Sequence, residues 1–105
     1  MTKQTVAVNG VSGANYNFAV HARNSIWNPV AGIYVVLQKN LEGNYAPIYV
    51  GETDNLSKRF QCHHKQTCFD RHHWTHLGFL FESNSVRRLT IERDILVNFN
   101  WACNG

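Results

Sequence analysis

The sequence is poor in cysteine and has no long apolar run. Its 105 residues include only three cysteines, Cys62, Cys68 and Cys103, and no two of them form a CxxC pair. An odd cysteine count without such pairs argues against a disulfide framework, so we expect reduced thiols and a cytoplasmic location. No apolar stretch approaches the ~20 residues of a membrane helix, and the N-terminus lacks a basic-then-apolar secretion signal, so no membrane partner is expected.

Size and charge narrow the possibilities further. A composition that is 44% hydrophobic, with three Trp, four Tyr and six Phe, supports one modest core, so we expect a single domain over residues 1–105. The formal net charge of +3 is mild, but from Leu56 to His76 the chain carries four basic side chains and five histidines against one acid, Asp70. This clustering predicts a surface that faces phosphates.

Short alternating segments bounded by turn residues predict a mixed fold. The predicted strands are Thr5–Val8, Tyr16–Ala22, Gly32–Gln38, Ala46–Gly51 and Leu77–Phe81. One helix is predicted from a cap at Thr53 or Asp54 to about His64, and another from Asn84 or Ser85 to about Phe99, with irregular chain over Gln66–Thr75. The sum is an α+β fold with a small central antiparallel β-sheet flanked by helices. Residues 1–31 form an N-terminal extension with extra strands, and residues 32–104 carry the motifs described next.

Two tyrosines occupy glycine-bounded motifs on neighbouring predicted strands, Gly32-Ile33-Tyr34 and Ile48-Tyr49-Val50-Gly51. The turn residues between them predict a hairpin, which makes Tyr34 and Tyr49 neighbours. Glycine in a strand lets a substrate or another backbone approach closely. Because a tyrosine hydroxyl with its ordinary pKa near 10 is a poor base at neutral pH, it needs help from a metal-bound water, Arg59 or His63.

Arg59 and Glu92 supply the other groups that phosphodiester cleavage requires. The planar guanidinium of Arg59 can grip two phosphate oxygens at once. Glu92 lies along a mostly apolar stripe of the last predicted helix, where burying a carboxylate costs free energy unless it is paired or binds a metal. We therefore expect Glu92 to bind Mg²⁺ or Mn²⁺, and an ion pair with Arg59 or Arg88 is the structural alternative.

These motifs, continued by Asn55-Leu56-Ser57-Lys58-Arg59, His63 and Asn104, resemble the GIY-YIG nuclease family over residues 32–104. The resemblance implies the α+β fold and a metal-dependent endonuclease that hydrolyses DNA phosphodiester bonds. It implies catalytic roles for six residues: Tyr34, Tyr49, Arg59, His63, Glu92 and Asn104. We assign the base to Tyr34 with His63 beside it, and in the family this assignment varies, so the two tyrosines can exchange roles. Asn104 is expected to orient a substrate phosphate or a catalytic side chain.

The chain departs from the family pattern at two positions. Glu52 stands where several members have a lysine directly after the second motif, which removes a positive charge near the scissile phosphate and adds a possible metal ligand. Trp101 replaces the usual proline before Asn104. The presence of Glu52 puts the details of the general-base mechanism in doubt but does not change the roles assigned to Arg59 and Glu92.

Substrate contacts are expected around the basic segment. The predicted nucleic-acid-binding residues are Lys58, Lys65, Arg71, His72 and Trp74. Aromatic and cationic residues alternate over positions 68–74, a combination that can stack on unpaired bases while neutralising the phosphate backbone. Trp27 is predicted to offer a second aromatic surface for stacking. The alternative is that Phe69 and Trp74 pack in the core. We predict single-stranded or locally opened DNA with loose sequence preference, because 31 residues before the first motif are too few for a separate reader of duplex grooves. Nicking of duplex DNA, as by a restriction or repair nuclease, is the alternative.

Two non-catalytic hypotheses compete with the nuclease. Cys62, Cys68, His72 and His76 lie within fifteen residues and include zinc-ligand types, so a zinc-stapled nucleic-acid-binding module can be drawn, although the tight CxxC geometry of such modules is missing. The other is a catalytically inactive nucleic-acid-binding relative, which the complete set of usable catalytic side chains disfavours.

Overall fold

The computed structural model describes residues 4–104 and contains five strands and three helices in that range. The strands are β1 (Thr5–Asn9), β2 (Asn15–Ala22), β3 (Gly32–Lys39), β4 (Tyr45–Thr53) and β5 (His76–Phe81). The helices are α1 (Leu56–Arg59), α2 (Gln66–Arg71) and α3 (Ser85–Leu96). None of these helices is long and apolar enough to cross a membrane.

All five strands form one antiparallel sheet in the order β1-β2-β5-β3-β4. The last strand in sequence, β5, lies between β2 and β3, so it joins the N-terminal hairpin to the hairpin that carries the tyrosine motifs. The predicted α+β class with a central antiparallel sheet and flanking helices is confirmed. The predicted N-terminal strands are also present, and they are an integral part of the sheet.

Strand β3 divides the core into two clusters, one on each face of the sheet. Ile33, Val35 and Leu37 belong to a cluster that includes Ile91 and Ile95 of α3. The alternate residues point to the opposite face because side chains along a strand alternate. There Tyr34 and Val36 pack in a second cluster whose other buried members are Ile48, Leu56, Phe69, Trp74, Leu77 and Cys103. The first tyrosine motif therefore faces α1 and α2, on the side of the sheet opposite the core of α3.

Strand β4 has a β-bulge at Ile48, the first residue of the second tyrosine motif. Tyr49 pairs with Val36, but the next pair joins Pro47 to Leu37, so Ile48 is the extra residue. Ile48 and Tyr49 both pack in the Tyr34 cluster, although neighbours on a regular strand face opposite sides. Tyr49 lies on the same face as Tyr34 through the regular pair with Val36, and the bulge brings Ile48 to that face as well.

The region between β4 and β5 differs from the prediction. The predicted helix to about His64 was wrong in extent, because α1 is a single turn that ends at Arg59 and His63 lies in the following loop. Its cap is Asn55, whose side chain accepts a hydrogen bond from the Lys58 amide at 3.1 Å. The segment predicted as irregular contains α2, which is too short to show a helical period but is anchored by the fully buried Phe69. At the other end of the chain, α3 stops at Leu96, three residues before the expected Phe99.

The prediction of reduced cysteines was wrong for two of the three. Cys68 of α2 forms a disulfide with Cys103, with 6.0 Å between the Cα atoms, and Cys62 is free and exposed. The pair is 35 residues apart, so only the packing of α2 against the C-terminal segment brings the sulfurs together. The argument for a reducing compartment depended on free thiols, and this disulfide removes it.

Candidate active site

Tyr34 lies at the bottom of the candidate site and is 1% exposed. Its hydroxyl is 2.7 Å from Nε2 of His63, and its ring stacks on that of Tyr49 with 6.0 Å between centroids. Burial, followed by the nearby Tyr49, raises the pKa of Tyr34 far above its ordinary value. A side chain this enclosed does not meet bulk water, which argues against the predicted role of Tyr34 as the residue that activates it.

Gly51 allows the two tyrosines to share one face. A Cβ atom added at Gly51 would lie 2.5 Å from Cζ of Tyr34 and 2.9 Å from Cε1 of Tyr49. At Gly32 an added Cβ would collide with the carbonyl oxygen of Leu80. The close approach expected at both glycines is therefore used by this chain's own side chain and backbone, and not by a substrate.

His63 is 5% exposed and lies against both tyrosine rings. Its Nδ1 atom accepts a hydrogen bond from the backbone amide of Lys65 at 2.9 Å. Burial, with smaller contributions from His64 and other positive groups, lowers the pKa of His63 to about 4. The imidazole is therefore neutral at physiological pH.

Tyr49 is the more accessible of the two tyrosines and is half-buried. Burial and then the charge of Glu92 raise its pKa. Hydrogen bonding with Tyr34 and the charge of Arg59 act in the opposite direction and lower it. Tyr49 thus combines partial exposure with two neighbours that stabilise its ionised form.

Arg59 ends α1 beside an open cleft of about 230 Å³. The cleft is lined by Thr53, Asp54, Asn55, Lys58, Arg59 and Cys62. The guanidinium charge lowers the pKa values of Tyr34, Tyr49, His63 and Glu92, so it acts on every other titratable member of the site. With the exposed Lys58 next to it, Arg59 gives the cleft two basic side chains against the one acidic side chain of Asp54.

Glu92 extends from α3 toward the same site and is half-buried. Burial and then the charge of Glu52 raise its pKa, while a hydrogen bond from the Glu52 backbone amide and the charge of Arg59 lower it. No ion pair joins Glu92 to Arg59 or Arg88 among residues 4–104, so the structural alternative is not realised there. A half-buried carboxylate without a directly paired arginine fits a hard cation, which proteins hold through one or two carboxylates plus water and phosphate oxygens.

Arg88 and Glu52 form an ion pair close to Glu92. Arg88 is 6% exposed; its Nε donates to Oε2 of Glu52 at 2.9 Å, and its Nη1 donates to the carbonyl oxygens of Glu82 and Ser83. Sequence reasoning noted Glu52 as a departure from the family and Arg88 as a partner of Glu92, but missed their pairing. No local pattern indicates this pairing, because Arg88 and Glu52 are 36 residues apart.

Asn104 does not face the cleft. Its Oδ1 accepts from the Val50 amide, and its Nδ2 donates to the Val50 carbonyl, both at 2.9 Å. Both polar atoms of its amide therefore bond the backbone of β4, so Asn104 can orient the strand that carries Tyr49. Trp101, which replaces the expected proline, is 6% exposed in the core on the α3 side.

The residues predicted to bind nucleic acid are dispersed. Arg71 and His72 are exposed at the end of α2, and Lys65 is partly buried. Trp74 is 5% exposed, and its indole nitrogen donates to Asp70 at 3.2 Å. The stacking role predicted for Trp74 is therefore wrong, because its ring and that of Phe69 belong to the core.

The zinc alternative is not supported by the arrangement of its ligands. Cys68, His72 and Cys103 bring their sulfur and nitrogen atoms within 4.8 Å of one another, but the two sulfurs are joined in the disulfide. Cys62 is exposed in the Arg59 cleft, and the ring of His76 packs against Tyr45. The four residues proposed as ligands do not form one site.

The structure thus brings five of the six predicted catalytic residues into one electrostatically connected site, with Asn104 behind it. Comparisons of the chain with protein-family models, with curated proteins and with solved structures found no match.

Proposed function

We propose that this protein is a metal-dependent endonuclease that hydrolyses DNA phosphodiester bonds in the manner of the GIY-YIG family. One observation supports the proposal above the others: five residues from five separate segments lie within interaction distance of one another. They are Tyr34, Tyr49, Arg59, His63 and Glu92. A phosphodiester-cleaving site needs a base, a phosphate-binding cation and a carboxylate within reach of one another, and packing alone does not require that combination.

The residues divide the work of cleavage between them. The Arg59 guanidinium grips the scissile phosphate and stabilises the charge that develops on its oxygens. The tyrosine pair supplies the base that removes a proton from the attacking water. Lys58 adds positive charge at the cleft for the neighbouring phosphates.

Glu92 is the residue that would hold Mg²⁺ or Mn²⁺, with Glu52 beside it. When bound, the cation would polarise the phosphate and stabilise the leaving oxygen. A cation would also neutralise the Glu92 charge, which otherwise raises the pKa of Tyr49. The Glu92 carboxylate is oriented by a hydrogen bond from the backbone amide of Glu52.

DNA, with single-stranded or locally opened strands favoured over intact duplex, remains the proposed partner. The support is the open cleft beside Arg59 and the exposed His64, whose ring stacks on His63 with 4.8 Å between centroids and offers a face to an unpaired base. Trp74 no longer contributes to this preference. The cytoplasmic location was expected from reduced cysteines and is not part of this proposal, because Cys68 and Cys103 form a disulfide.

The function is tested by incubating the full chain with end-labelled single-stranded, duplex and flap DNA and with RNA. Each substrate is tested with Mg²⁺, with Mn²⁺, with Ca²⁺ and with excess chelator. We expect cleavage with Mg²⁺ or Mn²⁺, little with Ca²⁺ and none with chelator, because Ca²⁺ is a weaker Lewis acid that tolerates loose geometry. Cleavage that is equally fast in chelator would overturn the metal dependence, and binding without cleavage under every condition would favour the inactive nucleic-acid-binding protein.

A further inference from the structure

Cys68, His72 and Cys103 form a cluster that shares no residue with the candidate active site. One ligand atom from each, the two sulfurs and a ring nitrogen, all lie within 4.8 Å of one another. Thiolate sulfur and imidazole nitrogen are ligands that Zn²⁺ prefers, with bonds of about 2.3 Å and about 2.0 Å. Around a tetrahedral ion such atoms are roughly 3.5–3.8 Å apart. The cluster therefore has the dimensions of a zinc site once the two sulfurs are no longer bonded to each other.

The three ligands are also placed by contacts that do not involve the disulfide. The His72 amide donates to the Cys68 carbonyl at 3.1 Å, and residues four apart on a helical turn face the same side. The fully buried Phe69 anchors this helix in the core. On the other segment, the Cys103 amide donates to the Ile48 carbonyl at 2.9 Å. These contacts do not require the S–S bond, so we expect the ligand set to stay together in the dithiol form.

The His72 ring is available to a ligand. Its side chain is exposed, and among residues 4–104 the ring makes no hydrogen bond, ion pair or ring contact. Cys103 is 2% exposed, whereas Cys68 is partly exposed, so the cluster is buried on one side and open to solvent on the other. A reductant and a metal ion can both reach it from the open side, where water can complete the coordination.

We propose that the dithiol form of this protein binds Zn²⁺ through Cys68, His72 and Cys103, with water as the fourth ligand. The metal and the disulfide are then alternative cross-links between α2 and the C-terminal segment. This site differs from the zinc-binding module hypothesised from the sequence, because it omits Cys62 and His76 and includes Cys103. It does not depend on the proposed nuclease function.

Two chemical steps connect the disulfide form to the zinc form. A dithiol reductant supplies two electrons and two protons: the S–S bond breaks, Cys68 and Cys103 become thiols, and the reductant becomes a disulfide. Zn²⁺ then forms bonds to both sulfurs and to the neutral His72 ring, and the two thiol protons leave to solvent. Two thiolates match the charge of the ion, so the filled site carries no net charge.

The site is tested with Co²⁺ as a spectroscopic substitute for Zn²⁺. The full chain carrying Cys62→Ser, which removes the unrelated thiol, is reduced with a dithiol that is then removed under argon. We expect one Co²⁺ per chain with a thiolate-to-metal charge-transfer band in the near ultraviolet, and displacement of the Co²⁺ by Zn²⁺. The oxidised protein should show no such band, because it has no thiolate to offer. A reduced protein without the band would overturn the proposal.

Matched substitutions identify the ligands. His72→Asn should weaken Zn²⁺ binding at least about tenfold, because even the outer-shell partners of metal ligands contribute that much to affinity. His73→Asn is the control, since His73 is the neighbouring exposed histidine and asparagine tolerates its positive φ of 54°. Cys103→Ser should lower both the affinity and the intensity of the charge-transfer band, which scales with the number of bound thiolates. Equal affinities in His72→Asn and His73→Asn would overturn the assignment.

A denaturation experiment keeps the proposal testable if the reduced chain unfolds. Because Zn²⁺ binds the folded site more tightly than the unfolded chain, it should raise the thermal unfolding midpoint of the reduced protein, or refold it, and leave the oxidised protein unchanged. Circular dichroism follows both forms, and His72→Asn should lose most of the shift. A midpoint of the reduced protein that Zn²⁺ does not raise, or equal shifts in the two redox forms, would overturn the site.

Discussion

The side-chain amide of Asn104 bonds both backbone groups of Val50, accepting from its N–H and donating to its carbonyl at 2.9 Å each. Strand β4 is at the edge of the sheet, so the amide takes the place of a neighbouring strand. One residue earlier, the Cys103 amide donates to the Ile48 carbonyl at 2.9 Å. The C-terminal segment therefore holds the bulged part of β4 from which Tyr49 extends.

Asn104→Asp should lower stability and activity together. The substitution keeps the size and the acceptor of the side chain but removes the donor to the Val50 carbonyl, a loss of about 1 kcal/mol in the free energy of unfolding. Urea denaturation measures the change, and Asn24→Asp at an exposed loop position is the control. Full activity in Asn104→Asp would argue against a role for this contact in placing Tyr49.

The disulfide should contribute strongly to stability. Cys103→Ser is expected to lower the free energy of unfolding by about 3–4 kcal/mol, because closing a loop of 35 residues removes that much conformational entropy from the unfolded chain in the loop-closure model. Thermal denaturation with and without reductant measures the effect, and Cys62→Ser is the matched control at an exposed free thiol. An unfolding midpoint that does not change on reduction would show that the bond contributes nothing.

Arg88→Leu should destabilise the fold far more than Arg87→Leu. Removing the buried guanidinium leaves the Glu52 carboxylate without its cation and two carbonyls without a donor, a cost of about 3 kcal/mol. Arg87 is exposed, and solvent screens its ion pair with Glu82, so its loss should change the free energy of unfolding little. In a double-mutant cycle, adding Glu52→Gln should recover part of the loss, and strict additivity of the two changes would contradict coupling.

Glu92→Gln and Arg59→Ala should each abolish cleavage while the protein stays folded and still binds DNA. Both residues act on the charge of the transition state, and losing such a group typically reduces the rate by roughly a hundredfold or more. Cleavage rates and DNA binding are measured side by side, with Glu42→Gln as an exposed carboxylate control. Wild-type turnover by either variant would be incompatible with the proposed site.

Stability should fall as the pH is lowered from about 6.5 to about 4. The folded-state pKa of His63 is depressed to about 4 against an ordinary value of 6.5, so the unfolded chain binds the proton first. The stabilisation from a neutral His63 is therefore complete above pH 6.5 and is lost as the pH approaches 4. Denaturation midpoints at several pH values should slope less for His63→Gln than for wild type, and equal slopes would contradict the prediction.

Local patterns in the sequence were enough to place the strands. Alternation, β-branched content and turn residues together predicted all five strands to within two residues at each end. The turn at Asn40–Asn44 is closed by Asn40 and Gly43, as expected of those residue types. The helices were less accurate, because α1 and α2 are a turn or two long and a period of 3.6 residues cannot be recognised in so few positions.

The sequence by itself determined which chemical groups are present and in what order, since residue type and spacing carry that information directly. It placed two tyrosines in a hairpin and Glu92 on the last helix. Only the tertiary structure determined which distant residues contact each other. Three such pairs are Cys68 with Cys103, Arg88 with Glu52 and Asn104 with Val50, whose members are 35, 36 and 54 residues apart in the sequence. The physical reason is that these contacts form when the helices and the C-terminal segment pack on the two faces of the sheet. Local secondary-structure propensity does not specify that packing.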